Sequence, residues 1–334
     1  MLQDTKIRSD TYNIIKKYFF CFTKKKKKTS YHMSGAKDSR RCAVVTGANK
    51  GIGLEAVKQL ASNGINVVLT ARDENRGLEA VEKLKEFELS GEVLFHQLDV
   101  ADPASIAYLA DFIKTQFGKL DILVNNAGIG GLILDSDAFA RACHDAGGFP
   151  MGGKYWDKIA VQTDELTKAC LEINYYGARR MVEALLPLLQ LSQSPSIVNV
   201  SSFLGLLENI PNEWAKGVLN DVERLTEERV NEVLNEFVKD FKQGNLEAKG
   251  WPTHIAAYIL SKAAMNAYTR ILAKKFPNFY VNSVCPGYVK TDMTCNTGLL
   301  TVSQGAQIIV TTALLPPNDK SSGLFISHQG VLSF

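Results

Sequence analysis

The 334-residue sequence lacks the features that mark membrane proteins and disulfide-bonded domains. It has no run of about 18 consecutive apolar residues, the length that crosses a bilayer as a helix. Its six cysteines show no paired spacing and no Cys-x-x-Cys motif, so neither a zinc site nor a disulfide framework is predicted. Such cysteines are typical of reducing compartments, and we expect a cytoplasmic protein without a membrane partner.

The net positive charge of the chain comes entirely from the N-terminal segment. The whole chain carries a net charge of +3, yet residues 1–32 alone carry +7, which includes five consecutive lysines at 24–28. The remaining 302 residues therefore sum to −4. A mildly acidic body offers no basic surface for nucleic acid, and no nucleic-acid partner is predicted.

The basic N-terminal segment admits three interpretations. The lysine run could be a nuclear-localisation or anionic-lipid patch. It could belong to an organellar presequence, although such segments favour Arg and Ser over a block of lysines. We favour a disordered extension over residues 1–39, with Met33 as the working N-terminus and the folded domain at 40–334.

The sequence also lacks internal repeats and linkers rich in Gly, Ser or Pro, so one domain is expected. Short apolar runs alternate with amphipathic segments, which predicts right-handed β-α-β units in an α/β fold with a doubly wound parallel sheet. The predicted strands are 43–45, 66–70, 93–98, 120–124, 196–200 and 279–284. The predicted helices are 54–62, 74–88, 105–117, 171–191, 226–241 and 257–275.

Two long segments interrupt the alternation, at about 130–167 and 203–252. The centre of the second segment is the predicted helix 226–241. Thr226 can cap it, and Glu227 and Glu228 suit its first turn. An apolar stripe along one face predicts that this helix packs against the rest of the domain.

A glycine-rich turn follows the first predicted strand and precedes the first helix. It reads Thr46-Gly-Ala-Asn-Lys-Gly-Ile-Gly53. Glycine permits positive φ and lets the backbone approach a pyrophosphate, which rests on the helix N-terminus. The spacing is looser than Gly-x-Gly-x-x-Gly and lacks the Lys-Ser/Thr of a P-loop. A glycine turn without a ligand is the alternative, and the strand-to-helix context argues against it.

The end of the second strand indicates which dinucleotide is bound. An acidic residue there hydrogen-bonds a ribose 2′-hydroxyl, as in NAD(H), whereas a basic residue binds the 2′-phosphate of NADP(H). Arg72 follows the strand and Lys50 lies in the glycine turn, so NADP(H) is predicted over NAD(H). Asp73 beside Arg72 weakens that inference. Asp99, after the third strand, is placed for the adenine ring.

Tyr258 and Lys262 are the candidate acid–base pair. They are four apart on a predicted helix and so project from one face. A nearby ammonium favours the ionised phenol, and a lowered pKa would make Tyr258 a better proton donor. A packed tyrosine beside a solvated lysine is the alternative for this pair alone.

These motifs together resemble the short-chain dehydrogenase/reductase family over about residues 40–334. Five elements occur in the family's order: the glycine turn, Asn125-Asn-Ala-Gly128, Ser201-Ser202, Tyr258-x-x-x-Lys262 and Pro286-Gly287. The resemblance implies a single Rossmann-like domain that binds a nicotinamide cofactor. It also implies that Tyr258 donates a proton, Lys262 lowers its pKa and holds the nicotinamide ribose, and Ser202 polarises a carbonyl.

The resemblance extends to supporting residues. Asn174 would support a proton-relay water, with a helix-bending polar residue as the alternative. Ser201 remains an alternative to Ser202, which fits the carbonyl-reductase branch better. The residues that the resemblance assigns to the cofactor are Thr46, Gly47, Asn49, Lys50, Gly51, Ile52, Gly53, Arg72, Asp99, Val100, Asn126, Ala127, Gly128, Tyr258, Lys262, Pro286, Gly287, Val289 and Thr291. No metal site is predicted.

One departure from the family pattern narrows the resemblance. Most members place the serine about a dozen residues before the tyrosine, whereas 56 residues separate Ser202 from Tyr258 here. Such insertions resemble the monomeric carbonyl-reductase branch and its plant reductases of terpenoid and alkaloid ketones. The resemblance implies a helical flap over the substrate, a monomer, and reduction of an apolar ketone of the menthone type. A bulkier alkaloid ketone, alcohol oxidation and a catalytically silent NADPH-binding regulator are the alternatives.

The flap is expected to supply apolar walls around the substrate. Trp214, Trp251 and Leu206 are candidate wall residues. Ordinary packing is an equal alternative for each of them.

Overall fold

A computed structural model describes residues 40–151, 155–316 and 321–334. The predictions for the basic extension, including Met33 as the working start, lie outside these residues. The strands are β1 Cys42–Val45, β2 Asn66–Ala71, β3 Val93–Gln97, β4 Ile122–Asn125, β5 Ile133–Leu134, β6 Ala160–Val161, β7 Ser196–Val200, β8 Tyr280–Val284, β9 Phe325–Ser327 and β10 Gly330–Leu332. The α-helices are α1 Gly51–Ser62, α2 Glu74–Lys85, α3 Pro103–Gln116, α4 Ser136–Ala146, α5 Trp156–Ile159, α6 Asp164–Leu171, α7 Ala178–Leu189, α8 Glu213–Asn220, α9 Glu227–Lys242, α10 Ala256–Lys275 and α11 Val302–Ala313.

Eight strands form the central sheet in the order β10-β9-β8-β7-β4-β1-β2-β3. Neighbouring strands are parallel except for β10, which runs antiparallel to β9. The strand order reverses at β1, because the chain reaches β3 at one edge and returns to place β4 on the other side of β1. A crevice at the carboxyl ends of the strands lies at such a switch point, and ligands bind there in this class of fold. The predicted α/β architecture is confirmed.

Apolar side chains cover both faces of the sheet. One core lies between the sheet and helices α3, α7 and α10, and the other lies between the sheet and helices α1 and α11. Strands β1, β2, β4 and β7 are buried along their whole length. Burial on both faces explains why these strands read as continuous apolar runs without alternation.

The helix predicted at 171–191 starts earlier than the sequence indicated. Helix α6 begins at Asp164, because the Thr163 side chain accepts a hydrogen bond from the Leu166 N–H. It continues through a π-helical turn, Glu172–Gly177, into α7, which ends at Leu189. π-turns within helices are frequent at functional sites, and this one contains Asn174.

The C-terminal part of the sheet was missed by the sequence analysis. Strands β9 and β10 have three residues each, and α11 is buried along much of its length against α1 and strands β4, β7 and β8. Three residues are too few for an alternation pattern to emerge, so these strands exist through pairing with β8 rather than through local propensity. The helices α4, α5 and α8 within the two insertions were also missed.

The second insertion packs against the helix that carries Tyr258. Helix α9 begins at the predicted cap, where Thr226 accepts a hydrogen bond from the Arg229 N–H, and it contacts both α6 and α10. Arg179 on α7 pairs with Glu227 at 3.1 Å. Arg270 on α10 donates to the Leu219 carbonyl of the insertion at 2.5 Å. The insertion is therefore fastened to the domain at several points. Within the described residues no helix combines the length and apolarity needed to cross a membrane.

Candidate active site

The glycine turn forms a cradle that side chains would fill. Gly47 and Gly51 have φ values of +62° and +59°, which favour glycine. A Cβ on Gly47 would lie 2.9 Å from the Ala127 Cα, and a Cβ on Gly53 would lie 2.5 Å from the Asn126 side-chain nitrogen. Asn49 and Ile52 lie half-buried within the same turn. Glycine is therefore required at positions 47 and 53, where the turn after β1 meets the loop after β4.

Thr46 and Asn126 hold those two loops together. The Thr46 hydroxyl accepts hydrogen bonds from the backbone N–H groups of Asn126 and Ala127, each at 2.9 Å. The Asn126 side chain donates to the carbonyls of Thr46 and Gly47 at 2.8 and 3.0 Å. Asn126, which the resemblance assigns to the cofactor, thus also joins the glycine turn after β1 to the loop after β4.

The N-terminus of helix α1 opens from the glycine cradle. Its first turn has no acidic residue and no side-chain cap, so its backbone N–H groups are available to an anion. Thr291 lies across the turn from Gly51, where an added Cβ would meet its methyl group at 3.7 Å. Backbone donors without a protein partner, beside glycines that keep the turn open, fit a dinucleotide pyrophosphate.

The two predicted cations occupy different settings. Lys50 forms an ion pair with Asp292 at 2.6 Å, and both side chains are exposed. Arg72 is exposed at the end of β2. Asp73 caps helix α2, because its carboxylate accepts a hydrogen bond from the Arg76 N–H at 3.0 Å. Asp73, whose charge weakened the NADP(H) prediction, thus caps helix α2. The neighbouring Arg72 is exposed to solvent.

Asp99 and Val100 lie beyond the end of β3. The Asp99 carboxylate accepts a hydrogen bond from the Ala101 N–H at 2.9 Å, and its own N–H donates to Ser105. Val100 is buried against Gly177, where an added Cβ would lie 2.8 Å from a valine methyl. These contacts order the loop that was predicted to face the adenine ring.

Tyr258, Lys262 and Ser202 converge at the carboxyl edge of the sheet. Helix α10 carries Tyr258 and Lys262 on one face, and the Lys262 ammonium lies 5.5 Å from the centre of the tyrosine ring. Lys262 is 4% exposed and donates a hydrogen bond to the Val200 carbonyl at 2.8 Å. Ser202 is the second residue after β7, and its side chain interacts with the Tyr258 phenol. The structure therefore brings together the three residues that the sequence singled out.

The two adjacent serines differ in their contacts. The Ser201 hydroxyl donates to the Lys262 backbone carbonyl at 3.3 Å, and its N–H donates to Val284. The Ser202 hydroxyl accepts the Leu204 N–H at 3.2 Å and interacts with Tyr258. This geometry favours Ser202 as the residue that meets a substrate oxygen, and it makes Ser201 a link between strand β8 and helix α10.

Asn174 is fully buried, and its side chain is occupied by the protein. Its oxygen accepts the Ile129 N–H at 2.8 Å, and its nitrogen donates to the Ile129 carbonyl and the Ser261 hydroxyl, each at 3.0 Å. Ser261 in turn donates to the Tyr258 carbonyl at 2.8 Å. The Asn174 side chain therefore links the π-helical turn, the loop after Gly128 and the tyrosine helix.

Burial controls the pKa values of the pair. It raises the pKa of Tyr258 above that of a free phenol, and the hydrogen bond from Ser202 opposes that rise. It lowers the pKa of Lys262 to about 8. The expectation of a lowered tyrosine pKa is therefore wrong for the protein's own groups, because desolvation of the phenol is the largest effect on its pKa. Tyr258 is a neutral phenol near neutral pH and so carries a proton to donate.

The loop after β8 forms the opposite wall. Gly287 has a φ of +84°, and the Pro286 carbonyl bonds the His328 ring at 3.1 Å. Val289 is buried and bridges to Leu300, and Thr291 begins a short 3₁₀ turn with a capping box. The predicted cofactor residues of this loop therefore lie along one ordered edge beside the glycine cradle.

The three predicted wall residues have different settings. Trp214 is 45% exposed on the outside of the insertion. Trp251 is buried within the insertion, where its indole N–H donates to Asp240 at 2.8 Å and its ring packs on Phe237. Leu206 is half-buried in the loop after Ser202.

The rings nearest the site were missed. Phe203 follows Ser202, and Tyr288 follows Gly287, so adjacency to the predicted motifs could have found both. The structure adds Phe149 from the first insertion, which contacts both rings. In the described part of the chain, no cluster of three or more His, Cys, Asp or Glu side chains is arranged for a metal.

Comparison with known proteins identifies the family of this chain. The family described as short chain dehydrogenase matches residues 41–213. A (+)-neomenthol dehydrogenase of Arabidopsis thaliana is 59% identical over 301 residues, which cover 90% of this chain and 100% of the relative. This chain belongs to the short-chain dehydrogenase/reductase family and is similar to its plant reductases.

Two solved structures share the fold along nearly their whole length. The structure of salutaridine reductase from Papaver somniferum has a TM-score of 0.80 and 52% sequence identity, with coverage of 86% of this chain and 99% of the other. Menthone neomenthol reductase from Mentha piperita has a TM-score of 0.76 and 48% identity, with the same coverage. The resemblance inferred from the motifs is confirmed.

The contact between Gly53 and Asn126 predicts a large loss of cofactor binding in Gly53→Ala. A Cβ there would displace the Asn126 side chain from the carbonyls of Thr46 and Gly47 and open the cradle. We expect the Kd for NADPH, measured by calorimetry, to rise at least about tenfold. Gly217→Ala is the matched control, because nothing lies within 4 Å of its Cβ position. Equal Kd values in the two variants would contradict the close-approach argument.

Proposed function

We propose that this protein is an NADPH-dependent carbonyl reductase that acts on a ketone of an apolar terpenoid small molecule. The observation that carries the proposal is the juxtaposition of Tyr258, Ser202 and Lys262 with the glycine cradle at one edge of the sheet. The names of the plant relatives, neomenthol dehydrogenase and menthone neomenthol reductase, support a terpenoid ketone. The name of salutaridine reductase supports the alternative of an alkaloid ketone.

The cofactor, when bound, supplies a hydride to the substrate carbonyl carbon. The chain's own residues act on the carbonyl oxygen. Tyr258, neutral near pH 7, donates its proton to that oxygen as negative charge develops there. Ser202 donates a hydrogen bond to the same oxygen, so two fixed donors stabilise the charge that appears during the reaction. The same groups can run the reaction in reverse, so alcohol oxidation remains open.

Lys262 is the buried cation of the site. It is anchored to the Val200 carbonyl, and its ammonium faces the tyrosine ring and the region of Gly128. A positive charge in a closed, poorly solvated site acts more strongly than one in water. Lys262 therefore stabilises the phenolate that Tyr258 becomes after it gives up its proton, and it is placed to bind a ribose hydroxyl.

Thr46, Gly47, Gly51 and Gly53 would hold the pyrophosphate against the N-terminus of α1. Arg72 is the candidate for the 2′-phosphate, with Lys50 nearby in the turn. Asp99 and Val100 would contact the adenine side. Pro286, Gly287, Val289 and Thr291 would flank the nicotinamide.

The Arg72 assignment predicts that Arg72→Asp reverses the cofactor preference. An acid at this position favours a ribose hydroxyl, and it repels a 2′-phosphate. We expect kcat/KM for NADPH to fall about 10–100-fold, the size of a lost charged hydrogen bond, while kcat/KM for NADH holds or rises. Lys83→Asp applies the same charge change near the other end of α2 and is expected to leave the ratio unaltered. A ratio that is the same in both variants would exclude Arg72 from phosphate recognition.

NADPH absorbance with a panel of terpenoid and alkaloid ketones tests the function. Consumption with menthone-type ketones would support the proposal, and consumption with alkaloid ketones alone would favour the alternative. Tight NADPH binding without turnover of any ketone or alcohol would favour a catalytically silent regulator. That regulator would be expected to have lost one of the site residues, whereas Ser202, Tyr258 and Lys262 are all present.

We also propose that the protein is a monomer whose domain spans residues 40–334. Helix α9 packs against α6 and α10, so it covers part of the face through which these helices could pair with a second copy. Deletion of residues 1–32 is expected to leave reductase activity intact, because the described core begins with β1 at Cys42. Loss of activity in that deletion would place the basic segment within the functional unit.

A further inference from the structure

A cavity of about 430 Å³ lies between the two insertions and helix α10. Segments from both insertions line it, and its walls include Leu204, Pro211, Trp251, Pro252 and Ile259. Its volume is within the range of small-molecule sites. Apolar side chains form a little over half of its wall, and Asn209, Glu247, Thr253 and His254 form polar parts. Neither Ser202 nor Tyr258 lines it, so it is separated from the reacting groups.

The partition between this cavity and the reacting groups is thin. Leu204 lines the cavity, and its N–H bonds the Ser202 hydroxyl on the other side at 3.2 Å. Ile259 also lines the cavity and is the next residue after Tyr258. The cavity is therefore adjacent to the catalytic residues and behind one layer of side chains.

Phe149, from the first insertion, belongs to the layer of side chains between the cavity and the catalytic residues. Its ring lines the cavity and makes edge contacts with Phe203 at 6.1 Å and Tyr288 at 5.5 Å between ring centres. Phe203 follows Ser202 in the chain, and Tyr288 follows Gly287. The same ring thus contacts the cavity on one side and the substrate end of the site on the other.

The backbone beside Phe149 is anchored by Trp156. The Trp156 indole N–H donates to the Pro150 carbonyl at 2.9 Å, and its ring packs on Phe139 as well as on Phe149. A smaller side chain at 149 would therefore leave a gap rather than allow the segment to collapse into the space.

We propose that Phe149 is the specificity-determining residue that closes the inner site against this cavity. The cavity is a distal subsite for the bulk of polycyclic ketones, and the Phe149 ring restricts the native site to smaller, single-ring ketones. The inference rests on the proposed reductase function and deepens it. It predicts that the size of the residue at 149 sets substrate size without altering the proton-donating groups.

The test compares menthone, with one ring, and 9-fluorenone, with three fused rings, in the wild type, Phe149→Ala and Phe149→Trp. We expect Phe149→Ala to raise the ratio of kcat/KM for fluorenone over menthone at least about tenfold, and Phe149→Trp to lower it. Calorimetric Kd values for the same two ketones on NADP⁺-loaded protein are expected to shift in the same directions. Binding is measured as well as turnover because it does not depend on chemistry.

Phe139→Leu is the matched control, since Phe139 packs against Phe149 and Trp156 but does not line the cavity. It is expected to lower thermal stability and leave both ratios unchanged. Phe149→Leu serves as a milder variant if Phe149→Ala does not fold. Ratios that stay within about twofold of wild type in binding and turnover would overturn the role of Phe149. A shift in binding without turnover of any ketone would support it while rejecting the reductase function.

Discussion

Tyr258→Phe is expected to lower kcat for ketone reduction about a hundredfold to ten-thousandfold, the usual contribution of a positioned general acid. Phenylalanine keeps the aromatic ring on helix α10 and removes only the hydroxyl, which interacts with Ser202. The oxygen of the substrate would then lose its proton donor, while Ser202 keeps one hydrogen bond to it. Steady-state turnover with NADPH and a menthone-type ketone measures the effect.

Two controls separate this result from a folding defect. Tyr108→Phe makes the same chemical change at a side chain that is 71% exposed, and it is expected to leave kcat unchanged. NADPH affinity of Tyr258→Phe is expected to change little, because the glycine cradle is untouched. A Tyr258→Phe variant that keeps more than about a tenth of wild-type kcat would show that the proton comes from another group.

Lys262→Met is expected to abolish most activity and to make the protein more stable near neutral pH. Lys262 is 4% exposed, and burial lowers its pKa from 10.5 to about 8. The unfolded chain therefore binds the proton more tightly than the folded chain does. The energetic cost of the buried ammonium is fully present below pH 8 and disappears as the pH rises toward 10.5. Loss of the hydrogen bond to Val200 offsets part of the gain.

The size and pH dependence of that gain can be measured by thermal unfolding. The pKa difference corresponds to about 3 kcal/mol at most, so we expect about 1–3 kcal/mol and a Tm several degrees higher at pH 7. The gain should shrink between pH 8 and 10.5. Lys274→Met, on an exposed part of the same helix, should change Tm little. A Tm for Lys262→Met that is lower than wild type at pH 7 would show that the ammonium stabilises the fold.

Wild-type reduction should also fall as the pH rises above about 8, because the ammonium loses its charge there. The decline should be absent in the residual activity of Lys262→Met. A pH profile of kcat/KM for the two proteins distinguishes this titration from general instability at high pH.

Much of the central fold was predictable because its strands are buried on both faces. Strands β1, β2, β4 and β7 carry short apolar runs, and the runs of β1, β4 and β7 lead into Gly, Asn or Ser at the carboxyl edge of the sheet. Helix α9 was predictable from its Thr226 cap and apolar stripe. The missed elements include α4, α5, α8, α11, β9 and β10. Strands β9 and β10 have three residues each and α5 has four, which is too few for a local pattern to reveal them.

The pKa of Tyr258 shows where local reasoning ends. The spacing of Tyr258 and Lys262 correctly predicted that both lie on one helical face. It could not reveal how deeply that face is buried, and burial reversed the expected direction of the tyrosine's pKa shift. Desolvation of the phenol depends on every segment packed around helix α10. Ser202, which also affects the pKa of Tyr258, comes from the loop after β7, 56 residues earlier in the sequence.

The sequence by itself determined the order of the elements, the glycine cradle, and the identities of the residues that meet at the sheet edge. It did so because glycine conformations and helical spacing are properties of neighbouring residues. The tertiary structure alone decided that Ser202 rather than Ser201 meets Tyr258, that Asp73 is a helix cap, and that Phe149 stands between the site and a cavity. Those relations depend on contacts between distant segments, and burial and distance between such segments arise only when the chain is folded.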